Sequence, residues 1–198
     1  NGYHGSTMAG ASLGGMKGMH EQGGLPIPGI VHIDQPYWFE NGGTMKRDEF
    51  GVACARQLEA KLKELGADKV AAFIGEPIQG AGGVIIPPAT YWPEIQRICD
   101  QYGILLVSDE VITGFGRVGK AFAAQRFGVT PDLITVAKGL TSGTVPMGAV
   151  FASGKIHDTF MHGPDGAIEL FHGYTYSGHP LACAAALATL DTYAEENL

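Results

Sequence analysis

Three short apolar runs, AAFIGE (71–76), ILLVSD (104–109) and LITVAK (133–138), each end on an ionisable side chain. Near-continuous apolar runs of this length read as strands buried on both faces, not as half-exposed strands, which alternate. Between them lie stretches with apolar residues at helical spacing. ARQLEAKLKEL (55–65) is closed by Gly66, YWPEIQRICDQY (91–102) by Gly103, and AFAAQRF (121–127) by Gly128, glycine being the residue that ends a helix at least cost. Strand and helix in alternation predict an α/β fold, a mostly parallel sheet flanked by helices on both faces. Ligands of such sheets bind beyond the carboxyl ends of the strands, so Glu76, Asp109 and Lys138 are expected on one rim.

The opening NGYHGSTMAG reads as a loop into a helix, IVHID (30–34) as a short strand, and WFENGGTMKRDE as a loop leading to a helix near Asp48. MGAVFASG (147–154) reads as a further strand and HPLACAAALATLDTYAEEN (179–197) as a long helix. No repeat or low-complexity linker divides the chain, which is read as one domain piece.

A formal charge of −7, from 13 basic against 20 acidic residues, leaves no electrostatic footprint for nucleic acid. No apolar run reaches the length of a membrane-spanning helix, so a membrane partner is not expected either. Cys54, Cys99 and Cys183 are odd in number and widely spaced, which fits a reducing cytoplasm better than a disulfide framework or a zinc site.

Other motifs carry less. GFGRVGKA (114–121) matches a phosphate-binding loop but has Ala121 where a magnesium-binding hydroxyl belongs, and it directly follows the acidic strand that should lie on a separate one. GAGGVI (80–85) lacks the third glycine of a dinucleotide fingerprint, so its glycines read as turn formers. Ser177 in YSGHP has no positioned base, and the histidines show no metal-ligand spacing; His4 is kept for its place beside Tyr3.

Asp109 and Lys138 remain, 29 residues apart, about one strand–helix–strand excursion. A lysine amine at the rim of an apolar sheet can lose its proton and form a Schiff base with a carbonyl. Pyridoxal phosphate chemistry uses lysine in this way, and it also needs a carboxylate against the pyridine nitrogen to keep the ring protonated. On that reading a protonated pyridine ring would be the cation that Asp109 meets. Glu110 falls on the opposite face of the strand, where a structural partner is expected.

NGYHGST, GEPIQGAGGVIIPP, LLVSDEVITGFGRVG, PDLITVAKGLTSG and YTYSGHP, in this order, closely resemble the class III aminotransferases, in particular their omega-amino-acid or amine:pyruvate branch. The resemblance runs over essentially all 198 residues. It implies a fold type I pyridoxal 5′-phosphate enzyme, of which residues 1–198 would be most of the large cofactor-binding domain. The family's upstream phosphate-binding turn and its small C-terminal domain are not found in the sequence.

By resemblance, Lys138 carries the cofactor and shuttles a proton, and Asp109 pairs with the pyridine nitrogen. Val111 and Tyr3 cover the two ring faces, with His4 beside Tyr3. Glu76 and Gln79 stand near the phenolic oxygen and the substrate pocket, and Thr175 reaches the cofactor phosphate of a neighbouring subunit. A homodimer with shared active sites follows. Thr144 stands where relatives often have tyrosine. The implied activity is transfer of an amino group from an amine or omega-amino acid to a keto acid, with pyruvate the expected acceptor. The alternatives are a catalytically inert fragment and a related aminomutase or decarboxylase using the same lysine and aspartate.

Overall fold

A computed structural model describes residues 1–198. In chain order it contains α1 (Met8–Leu13), α2 (Lys17–His20), α3 (Trp38–Asn41), α4 (Arg47–Leu65), β1 (Ala72–Gly75), α5 (Tyr91–Tyr102), β2 (Leu105–Asp109), α6 (Ala123–Phe127), β3 (Leu133–Val136), β4 (Ala149–Ala152), α7 (Gly154–Met161) and α8 (Pro180–Glu196). The strands form one sheet in the order β1-β2-β3-β4. β1, β2 and β3 are parallel, while β4 runs antiparallel to β3. The mostly parallel α/β sheet expected from the apolar runs is therefore present.

Helix α4 carries the acidic residues Asp48 and Glu49 in its first turn, where the helix dipole favours negative charge, and stops at Gly66 with φ 88°. Helix α5 ends on Gly103 in the left-handed conformation. Their apolar faces meet: Cys54, Leu58 and Leu62 of α4 and Trp92, Ile95, Ile98 and Cys99 of α5 enclose Leu106 of β2, with Phe73 packed alongside. Val136, Leu140 and Ala186 form a second buried group with Phe115, Phe122 and Met147 around them.

Alternation along the strands places both groups on one face of the sheet, the face of Phe73, Leu106, Ser108, Ile134 and Val136. The opposite face carries Ile74, Val107, Asp109, Leu133 and Thr135, and there Val107 and Leu133 are only half-buried and Val150 is exposed. That face receives the N-terminal segment, whose His4 meets Asp109. Apolar content in a strand shows that both sides avoid water, not which segment covers each.

The reading of IVHID as a strand is corrected: residues 30–37 form no helix or strand. A β-strand needs a partner for its backbone groups, and here Gln57 of α4 serves instead, its amide oxygen accepting from Asp34 N–H at 2.9 Å. Helix α7, which the sequence reading left unassigned, follows β4 directly.

Candidate active site

The strand register builds the site from a row of side chains. Gly75 pairs with Ser108, and Asp109 with Thr135, so Glu76, Asp109 and Thr135 come side by side on one face across three adjacent strands. Each is the polar end of an apolar run or a polar residue within one.

Asp109 is buried, and its carboxylate has two partners. His4 Nδ1 lies 2.7 Å from Oδ2, with both side chains almost fully enclosed, and the Val111 N–H donates to Oδ1 at 3.1 Å. Sequence reading placed His4 only as a neighbour of Tyr3. In the fold it is the ionisable partner of Asp109, from 105 residues away. The signal available was general: a buried carboxylate must find a donor.

Glu76 holds the Tyr3 loop. Its Oε1 accepts from Tyr3 N–H at 2.9 Å and its Oε2 from Gly80 N–H at 2.9 Å, which ties the segment carrying Tyr3 and His4 to the end of β1. The Tyr3 side chain itself is partly exposed. Gln79 pairs by its backbone with Ile85, while its side-chain oxygen is buried without a partner. His4, Glu76 and Gln79 line a groove of about 1110 Å³ that extends between β1 and residues 29–36.

Lys138 follows β3, at the start of a single 3₁₀ turn (Lys138–Thr141). Its backbone is left-handed, φ 44°. Its side chain is exposed and its amine makes no hydrogen bond or ion pair. Just beyond that turn Thr144 Oγ1 donates to Thr141 C=O at 2.7 Å.

Thr135 was missed by sequence reading. Its hydroxyl is buried and has no partner in the fold, and the alternation within LITVAK already assigns it to the face of Asp109 once Asp109 is taken as functional. Thr175 does not join this group within the chain. It lies in an exposed turn and lines a separate groove with Val145, Met147 and Ala149.

Glu110 points to the opposite face, as alternation predicts. It is fully buried, accepting from Thr113 Oγ1 at 2.9 Å, Ala123 N–H at 2.6 Å and Ala124 N–H at 2.7 Å. It satisfies the first free amides of α6 and so fixes the residues that follow Asp109.

All 198 residues match the family model of the class III aminotransferases. The chain belongs to this family. It is 58% identical over its full length to putrescine–pyruvate aminotransferase of Pseudomonas aeruginosa, of which it covers 42%, and 52% identical to an omega-aminotransferase of Caulobacter vibrioides, of which it covers 45%. The chain therefore spans less than half the length of these relatives. Among solved structures, an amine transaminase from an uncultivated Pseudomonas species, in its PLP-bound internal aldimine form, superposes with a TM-score of 0.93 at 45% identity, over 99% of this chain and 44% of that one. The fold is that of the fold type I pyridoxal-phosphate-dependent transaminases.

The class III aminotransferases use pyridoxal phosphate, and the side chains present suit that group. A buried carboxylate, an unpaired primary amine at the neighbouring strand end and an unpartnered buried hydroxyl are the donor set a protonated pyridine with an aldehyde calls for. No lysine or arginine pairs with Asp109, whose side-chain partner is His4.

Proposed function

We propose that the enzyme containing this chain transfers an amino group from an amine or omega-amino acid to a keto acid, with pyruvate as acceptor, through a Schiff base on Lys138. The observation that carries this reading is that an enclosed carboxylate, Asp109, and an unpaired amine, Lys138, stand at and just beyond the ends of adjacent parallel strands. The names of the relatives from Pseudomonas aeruginosa and Caulobacter vibrioides support the amine and pyruvate assignments.

When bound, pyridoxal phosphate supplies an aldehyde that captures amines and a protonated ring that draws electrons from the adjacent carbon. Asp109 would hold the ring nitrogen, and His4, 2.7 Å from Oδ2, keeps that carboxylate oriented. Val111, whose N–H is bonded to Asp109 Oδ1, and Tyr3, whose backbone is pinned by Glu76, would cover the ring from its two sides. Lys138, exposed and unpaired at the neighbouring strand end, would hold the cofactor's aldehyde carbon and serve as the group that moves a proton there. Glu76 and Gln79 border the groove from which the donor approaches.

Residues 1–198 serve, on this reading, as most of the large cofactor-binding domain. The stretch from α7 into α8 exposes Phe160, Ile168, Leu170, Phe171, Tyr176 and Leu187. Monomers rarely leave so many large apolar side chains in water, and a second copy of the chain is the proposed cover, giving a homodimer in which Thr175 serves the partner's cofactor phosphate. No helix is long and apolar enough to cross a membrane. Free cysteines, two of them buried, fit a cytoplasmic setting.

The test adds pyridoxal phosphate to the purified full-length enzyme and to its Lys138→Ala variant, then supplies an amine donor and pyruvate. A lysine-dependent absorbance band and alanine formation are expected. Cofactor binding without alanine from any donor would favour an aminomutase or decarboxylase, and absence of the band would remove the covalent role of Lys138.

A further inference from the structure

We propose that Phe115 and Tyr193 are positioning residues that hold the Lys138 backbone in its left-handed conformation, and thereby aim the amine. The inference rests on the role proposed above for Lys138.

A left-handed backbone at a residue other than glycine is disfavoured and persists only where its surroundings impose it. Lys138 has φ 44°. Relaxation to an ordinary negative φ would swing the Cα–Cβ bond and carry the long side chain away from its present direction. Something must therefore hold the turn, and the contacts converge on the next residue, Gly139.

From one side comes the loop that follows β2. A Cβ placed on Gly139 would lie only 3.0 Å from the Cβ of Phe115, so this glycine is in close contact with the Phe115 side chain. Phe115 is itself left-handed, φ 58°, and is fastened by its N–H to Ala121 C=O at 2.7 Å. From the other side comes α8. The Tyr193 hydroxyl donates to Gly139 C=O at 3.4 Å, and the Tyr193 ring is stacked on Phe115 with centroids 6.3 Å apart and planes 11° from parallel. Leu140, one residue further on, is buried with Ala186 of α8.

The lysine turn is thus clamped between a loop 23 residues upstream and a helix 55 residues downstream of Lys138, and neither Phe115 nor Tyr193 is among the groups assigned to cofactor or substrate. Removing the Phe115 ring opens the space that Gly139 now faces. Removing only the Tyr193 hydroxyl releases the carbonyl and leaves the stacking.

The experiment uses the full-length enzyme freed of cofactor. Pyridoxal phosphate is added, and condensation of the Lys138 amine with the aldehyde, which forms one C=N bond and releases one water, is followed by absorbance. Borohydride then reduces that bond by hydride addition, and mass spectrometry reports the fraction of the Lys138 peptide modified. Phe115→Ala is expected to slow condensation about tenfold and Tyr193→Phe about threefold, in line with loss of part of the restraint on a strained residue. Non-covalent affinity, read with Lys138→Ala in each background, should stay within about twofold. Ile98→Ala, an equally disruptive change in the α4–α5 core, should lower the melting temperature without slowing condensation.

Equal rates in wild type, Phe115→Ala and Tyr193→Phe would overturn the proposal. If Phe115→Ala does not fold, Tyr193→Phe decides alone. A wild-type enzyme with no Lys138 adduct would overturn the role of Lys138 and this inference with it, an outcome visible before any variant is compared.

Discussion

His4 Nδ1 sits 2.7 Å from Asp109 Oδ2, and both side chains are shielded from water. A close contact of this kind fixes the carboxylate in rotation. His4→Ala should leave Asp109 enclosed with one backbone donor, weakening pyridoxal phosphate binding by about tenfold, since a charge-assisted hydrogen bond contributes roughly 1.5–3 kcal/mol. Titration of the cofactor-free full-length enzyme measures it. Asp109→Asn, which removes the charge itself, should reduce amino transfer by about 10²–10³-fold, the usual effect of losing a preorganised electrostatic partner.

Glu110 shows the other use of a buried carboxylate. Its three donors include two backbone N–H groups that cannot turn away. Glu110→Gln places an amide nitrogen against at least one of them, so a destabilisation of about 2–3 kcal/mol is expected. Urea unfolding followed by far-ultraviolet circular dichroism would show it as a lower midpoint.

Thr135 has the opposite balance. Its buried hydroxyl has no partner, so Thr135→Val should raise the stability of the cofactor-free protein by about 1 kcal/mol by removing an unpaired polar group. If the hydroxyl serves the cofactor, the same change weakens cofactor binding. Opposite signs in the two measurements would identify Thr135 as part of the site; a gain in stability with unchanged binding would count against it.

The α4–α5 contact has a pH signature. Hydrogen bonds from Arg97 and Arg56, with their positive charges, hold the Glu94 carboxyl at about 2 against an ordinary 4.5. A depressed carboxyl stabilises the fold in full above the unfolded value and loses that contribution as pH falls from about 4.5 to about 2. Both arginines are largely exposed, so the magnitude should stay below about 1 kcal/mol. Glu94→Gln should flatten the stability curve in that window and leave it little changed at neutral pH.

Burial pushes the Cys54 and Cys99 thiols up to about 12. Both should resist iodoacetamide at pH 8 in the folded protein and react once it is unfolded in urea, as intact mass would show.

How far the sequence carried the reading differs by element. Helices α4, α5 and α8 and the four strands were legible because each repeats its own period or is a bounded apolar run, and glycine marks two helix ends at 66 and 103. IVHID failed because five residues of strand-like composition do not pair unless a second strand comes beside them. Helix α7 was passed over because its eight residues, GKIHDTFM, bury nothing in this chain and so show no core-facing pattern.

Asp109, Glu76 and Lys138 could be placed on one rim from the sequence because a strand carries its side chains at fixed intervals and ends where its polar residue begins. The opposite facing of Glu110 followed from the same alternation. What only the tertiary structure decided was which distant groups meet them: His4 on Asp109, the Tyr3 amide on Glu76, and Phe115 with Tyr193 about Gly139. Periodicity is a local property of the chain, whereas these contacts join residues 24 to 105 positions apart, and their partners are set by strand register and by the way the loops cross the sheet.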